Sequence, residues 1–118
     1  MSNYLPHGRG RRGEELAREY LEHRGYRLVA QNYRYRRNEV DLIMQDRETL
    51  VFVEVKLRKN AAYGHPETFV EEAQADRITK AAEQYLHETD WEGSIRFDVI
   101  AITLQPQLSI EHFEDAFY

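Results

Sequence analysis

Cysteine is absent from the 118 residues, and proline and tryptophan are scarce, at three and one. The lack of Cys excludes a disulfide scaffold, a Cys-liganded zinc site and a thiol nucleophile. No apolar run approaches the ~18 residues that a membrane-spanning helix needs. The first fifteen residues, MSNYLPHGRGRRGEE, contain no apolar segment of the kind a secretory signal carries. These absences lead to the expectation of a soluble, cytoplasmic protein with no membrane partner. A chain of this length can bury roughly two-thirds of its unfolded surface, so one domain can fold without a structural metal.

Positive charge is present but confined. The net charge is −5, yet residues 1–38 carry nine Arg, no Lys and four Glu, for +5, whereas residues 39–118 carry seven basic and seventeen acidic groups, for −10. A basic end can face an anionic polymer while the remainder keeps the chain dissolved. The acidic total argues against coating nucleic acid by charge alone, so contact with nucleic acid has to be local.

Hydrophobic spacing sets the expected elements. Residues 1–9 lack periodicity and are expected to form a flexible arm before a single domain over residues 10–118. Leu16, Ala17, Tyr20 and Leu21 mark one face of a helix at about residues 11–24, with Glu14 and Glu15 in its first turn and Gly25 as its C-cap. Residues 26–36 alternate as a strand. The runs 39–44 and 50–56 flank the polar cluster 45–48 and predict a β-hairpin. Residues 58–66 are expected as a loop. A second helix begins at Glu67 or Thr68 and ends between His87 and Thr89. Residues 95–104 form another strand, and residues 108–116 an edge strand. The order α-β-β-β-α-β(-β) belongs to an α/β (α+β) class.

Two acids sit where a core hairpin has no ordinary use for them. Asp41 and Glu54 interrupt apolar runs, and desolvating a carboxylate costs several kcal/mol unless it is compensated. With the turn centred between Arg47 and Glu48, position i pairs with 95 − i, so Ile43 faces Phe52 and Asp41 faces Glu54. Opposed residues have Cβ atoms about 4.5–5.5 Å apart, so the two carboxylates repel unless a proton or cation lies between them. Lys56 follows Glu54 by two and shares its face. Two convergent carboxylates suit a hard cation such as Mg²⁺ or Mn²⁺. The chemistry implied is metal-assisted phosphodiester hydrolysis. The plainer reading is a structural ion pair between Glu54 and Lys56 with a solvated Asp41. The net negative charge of the trio favours the metal.

The segments Glu39-Val-Asp-Leu-Ile and Phe52-Val-Glu-Val-Lys resemble the PD-(D/E)XK nuclease superfamily. The chain looks most like its YraN-type bacterial members, which are related to Holliday junction resolvases. Gly10-x-x-Gly13-Glu14-x-x-Ala17, Asn32-Tyr33-Arg34, the stretch from Arg96 to Ile100, and Ala116-Phe117 extend the likeness over most of the chain. The resemblance implies a restriction-endonuclease-like core, a mixed β-sheet flanked by helices. It implies that Asp41, Glu54 and the carbonyl of Val55 hold the metal, that Lys56 is the catalytic lysine, and that Glu14 is a further acid near the ion. It also implies structured, branched DNA as substrate and a homodimer as an arrangement used by relatives. Two departures stand out. Asn38 replaces a Gly before Glu-Val-Asp, where Asn's tolerance of positive φ would preserve the turn. Gln74 stands where a Lys is frequent, and it can still bind phosphate or water.

Arg34, Arg36, Arg37, Arg58 and Lys59 flank the expected site, Arg9, Arg11 and Arg12 precede the first helix, and these are candidate grips on a nucleic-acid backbone, Arg34 and Arg58 foremost. The interleaved Tyr33 and Tyr35 could stack on bases. The five His residues show no metal-ligand spacing and are expected at the surface for the most part. Asp98 is expected to pair with Arg96 rather than to bind metal. A non-catalytic nucleic-acid-binding module on the same scaffold is the alternative function.

Overall fold

The computed structural model describes residues 7–60 and 72–117. The expected start of the second helix lies outside the described residues. The elements are α1 (His7–His23), β1 (Arg27–Tyr35), β2 (Asn38–Asp46), β3 (Thr49–Asn60), α2 (Glu72–Thr89), β4 (Ser94–Gln105) and β5 (Ser109–Phe113). Five strands form one mixed sheet in the order β1-β2-β3-β4-β5. Only β3 and β4 are parallel; the other neighbours are antiparallel. A parallel pair needs a long crossover, and α2 lies within it.

Strand alternation divides the core in two. On one face Ala17 and Leu21 of α1 pack against Leu42, Met44, Val51, Val53, Leu57, Ile100 and Ile102. On the other, Ile78, Ala81 and Ala82 of α2 cover Ile43, Leu50, Phe52 and Phe97. The β2–β3 register follows the expected rule, with Ile43 opposite Phe52 and Leu42 opposite Val53. No helix among the described residues is long and apolar enough to cross a membrane.

Three expectations need correction. Helix α1 begins at His7, so residues 7–9 are helical rather than part of an arm, and Glu14 and Glu15 lie beyond the first turn. The Arg-Gly-rich start carries no apolar stripe to announce a helix. Strand β3 continues to Asn60, so Arg58 belongs to the sheet and not to a loop. The β1–β2 turn is Arg36-Arg37, flanked by the pair Tyr35 and Asn38, and the left-handed residue is Arg36 at φ 61°, not Asn38. At the far end of α1, Gly25 adopts φ 92° as the cap. The amide of Tyr26 donates to the Leu21 carbonyl and that of Gly25 to Glu22, which closes the helix in a Schellman motif.

A polar cluster fastens the chain's last turn to β4. Asp98 is fully buried and receives Arg96 Nε at 2.8 Å and Nη2 at 2.9 Å, and the Asp115 amide at 3.0 Å. His112 Nε2 lies 2.7 Å from its Oδ2. Arg96 also donates to the Tyr26 hydroxyl at 2.7 Å. Burial works against the Asp98 charge, but the bonds from His112, Arg96 and the Asp115 amide outweigh it and hold the carboxyl below its ordinary value. Asp98 thus pairs with Arg96 as expected. His112 is not a surface residue in function, because its side chain is only 9% exposed.

Candidate metal centre

The site forms where β2 leaves β3. Paired residues run from Asp46 and Thr49 to Leu42 and Val53, and the recorded register stops there. The next inward amide, Val55 N–H, donates instead to Asp41 Oδ2 at 2.8 Å. A side chain therefore occupies the place of a backbone acceptor at this point. On the other side of β2 the β1 register passes from Gln31 opposite Leu42 to Tyr33 opposite Val40, with Asn32 at φ 53° between them. Asn is among the residues that tolerate this left-handed conformation. The local distortion breaks alternation in β2, since Val40 joins Ile43 in the core under α2.

Acids converge on Asp41 from three elements. Glu14 of α1, with Glu39 and Asp41 of β2, bring one carboxylate oxygen each within 4.8 Å of one another. Glu54 of β3 is in hydrogen-bond contact with the Asp41 carboxyl. Burial, then the Glu54 charge and its hydrogen bond, push the Asp41 carboxyl well above the ordinary range, against the lowering effect of the Val55 amide. Glu14 is also raised, first by burial and then by Asp41; hydrogen bonds from Asn32 and Gln31 oppose the rise. The approach of α1 rests on Gly13, where a Cβ would meet the Leu57 Cβ at 3.2 Å. A larger residue there would force Leu57 or α1 to give by a few tenths of an ångström.

Gln74 of α2 joins the other two members. Its Nε2 donates to Glu54 Oε2 at 2.8 Å, and its Oε1 accepts from Lys56 Nζ at 2.7 Å. Lys56 is only 5% exposed. One neutral amide therefore spans an acid and an ammonium and fixes both. A pocket of about 260 Å³ opens over this group, lined by Arg37, Glu39, Asp41, Glu54, Gln74, Arg77 and Ile78.

The structure thus brings together Asp41, Glu54, Lys56, Glu14, Val55 and Gln74. It does not bring the expected arginines to one open face. Arg58 is 1% exposed, so it is not a surface grip on a backbone. Arg34 pairs with Glu39 at 3.0 Å beside the acids, with its side chain largely exposed. Arg12 is exposed on α1, and the side chain of Arg11 lies outside the described residues. Tyr33 packs edge-on against Tyr85 at 5.2 Å and its hydroxyl donates to Glu88, so its ring is engaged inside the fold. Arg36 covers the Tyr35 ring at 5.1 Å. Glu39 was not singled out from the sequence, although its position two residues before Asp41 already placed it on the same strand face.

The model of a family described as "Uncharacterised protein family UPF0102" matches residues 13–102. A UPF0102 protein of Chlorobium limicola is 46% identical, covering 96% of this chain and 94% of its own length. Another, from Flavobacterium psychrophilum, is 40% identical over 92% of each chain. A third, from Christiangramia forsetii, is 41% identical, again over 92% of each.

Proposed function

The chain belongs to the uncharacterised protein family UPF0102, and from its side-chain geometry we propose that it is a divalent-metal-dependent endonuclease acting on phosphodiester bonds in structured DNA. The observation that carries this reading is the meeting of Glu14, Glu39, Asp41 and Glu54 beside a buried lysine, at a break in the sheet that opens to a pocket. The likeness of Glu39-Val-Asp and Glu54-Val-Lys to the PD-(D/E)XK nucleases supports the same residues.

The donor set fits a hard cation. Among the described residues every charged donor is a carboxylate oxygen, which suits Mg²⁺ or Mn²⁺ and not a soft metal. The crowding that raises Asp41 is the crowding that a cation relieves. Asp41 and Glu54 would hold the ion, with Glu14 and Glu39 within reach. The Val55 amide is turned toward Asp41, and in an extended strand the carbonyl of the same residue faces the same edge. When bound, the ion would polarise a phosphoryl oxygen and lower the pKa of a water.

The chain's own groups account for the remaining roles. Lys56 presents a fixed ammonium beside Glu54, where it offsets negative charge that develops on a phosphate. Gln74 holds that ammonium and the Glu54 carboxylate in one arrangement, which removes the need to reorganise during reaction. Burial of Lys56 strengthens its field relative to a solvated lysine.

Incubation with Mg²⁺ or Mn²⁺ and branched, flapped and single-stranded DNA is expected to yield cleavage products. Lys56→Ala should lower the rate by about 10²-fold or more. Absence of products in every case, or equal cleavage by the variant, contradicts the proposal. Salt-dependent binding without products or metal requirement selects the non-catalytic module. Glu14→Gln should weaken Mn²⁺ binding by about tenfold, a smaller loss than at Asp41, as read by titration calorimetry.

A further inference from the structure

Two arginines stand at the pocket beside the acid cluster. Arg37 stands in the two-residue turn between β1 and β2, and Arg77 lies on α2 three residues after Gln74. Both line the pocket over Asp41 and Glu54, and both are exposed. Carboxylates line the same space, yet neither arginine enters an ion pair among the described residues. The other arginines near the sheet are committed: Arg34 to Glu39, Arg96 to Asp98, and Arg58 to the interior.

Resting on the nuclease reading above, we infer that Arg37 and Arg77 grip backbone phosphates beside the acid cluster. A guanidinium matches two phosphate oxygens in one plane, a geometry that a lysine does not supply. Arg37 is held by a short turn whose preceding residue, Arg36, is in the left-handed region at φ 61°. Arg77 shares a helix face with the amide that fixes Lys56, since residues three apart are neighbours on a helix. The carboxylates of the lining outnumber its two guanidiniums, so the backbone enters when a divalent cation also neutralises them.

The test measures binding of fluorescently labelled branched DNA by the full chain in Ca²⁺, by anisotropy, at a series of salt concentrations. Each lost phosphate contact reduces the slope of log affinity against log salt by about 0.7–0.9. The double variant Arg37→Ala/Arg77→Ala should lose two such contacts. Between 50 and 200 mM salt, wild-type affinity should then fall about tenfold further than that of the variant. Lys at both positions should keep the slope and weaken affinity. Both side chains are exposed, so thermal melting of the double variant should match wild type. No binding by wild type, or an unchanged slope in the double variant, overturns the inference. A wild type that binds with this slope but never cleaves defeats the nuclease reading and leaves the phosphate grip standing. Cleavage by wild type with an unchanged slope in the double variant does the reverse.

Discussion

Asp41→Asn is expected to stabilise the metal-free protein at pH 7 by about 1 kcal/mol while removing its response to Mg²⁺. The sign follows from the environment of the carboxyl. Burial and Glu54 raise its pKa in the folded state above the unfolded value. Between those two values the folded chain binds more protons than the unfolded one, so stability falls as pH rises through the folded pKa. At pH 7, above the unfolded value, the Asp41 carboxyl therefore contributes against folding. Asn removes that titration and retains an oxygen for the Val55 amide. Wild type should gain stability as pH is lowered toward the unfolded pKa, whereas the Asn variant should lack this component. Added Mg²⁺ should stabilise wild type by about 2.7 kcal/mol at a hundred times its dissociation constant and leave the variant unmoved. Urea unfolding with and without Mg²⁺ measures both effects. A destabilised metal-free variant would contradict the account of crowded acids.

Asp98→Asn should do the opposite, with a loss of about 3–5 kcal/mol. The carboxylate accepts from Arg96, His112 and the Asp115 amide, and its side chain is inaccessible to water. An amide offers one acceptor oxygen and places an NH₂ group against the remaining donors. Arg96 then keeps only its longer pairing with the exposed Glu114, at 3.6 Å, and the turn at Asp115 loses its anchor on β4. The pH dependence also reverses. The folded pKa of Asp98 lies below its unfolded value. Its contribution is complete above the unfolded pKa and is lost as pH falls through the folded one. Acid unfolding of wild type should thus draw on Asp98 at pH below its ordinary carboxyl range, and the variant should lack that part of the transition. Denaturant midpoints across pH read this directly. The two aspartates separate the chain's polar groups into one set that supports the fold and another that the fold tolerates.

Much of the sheet could be read from residue order because the governing forces there are local. The polar turn between Asp46 and Thr49 fixes the β2–β3 register, and period-two alternation then puts Glu54 and Lys56 on one face. The same logic reaches Asp41 only as far as the ladder lasts. What it cannot reach is the left-handed Asn32, which lets acids from opposite layers approach Asp41. The start of α1 was hidden for a related reason, since its first turns are Arg and Gly without an apolar stripe. The bridge that Gln74 makes between Glu54 and Lys56 spans eighteen to twenty residues of sequence, beyond the reach of local spacing. Arg58 followed a strand end in the sequence and looked solvated, yet β3 runs on past it and buries it. His112 carries no spacing signal because its partner Asp98 is supplied by the neighbouring strand.

The most direct test of the central claim is a titration of the purified protein with Mn²⁺, followed by electron paramagnetic resonance of the free ion. Wild type should bind Mn²⁺ saturably, Mg²⁺ should compete, and Asp41→Asn should bind at least a hundredfold more weakly. Failure of wild type to take up Mn²⁺, or equal uptake by the Asn variant, would contradict a metal centre built on Asp41.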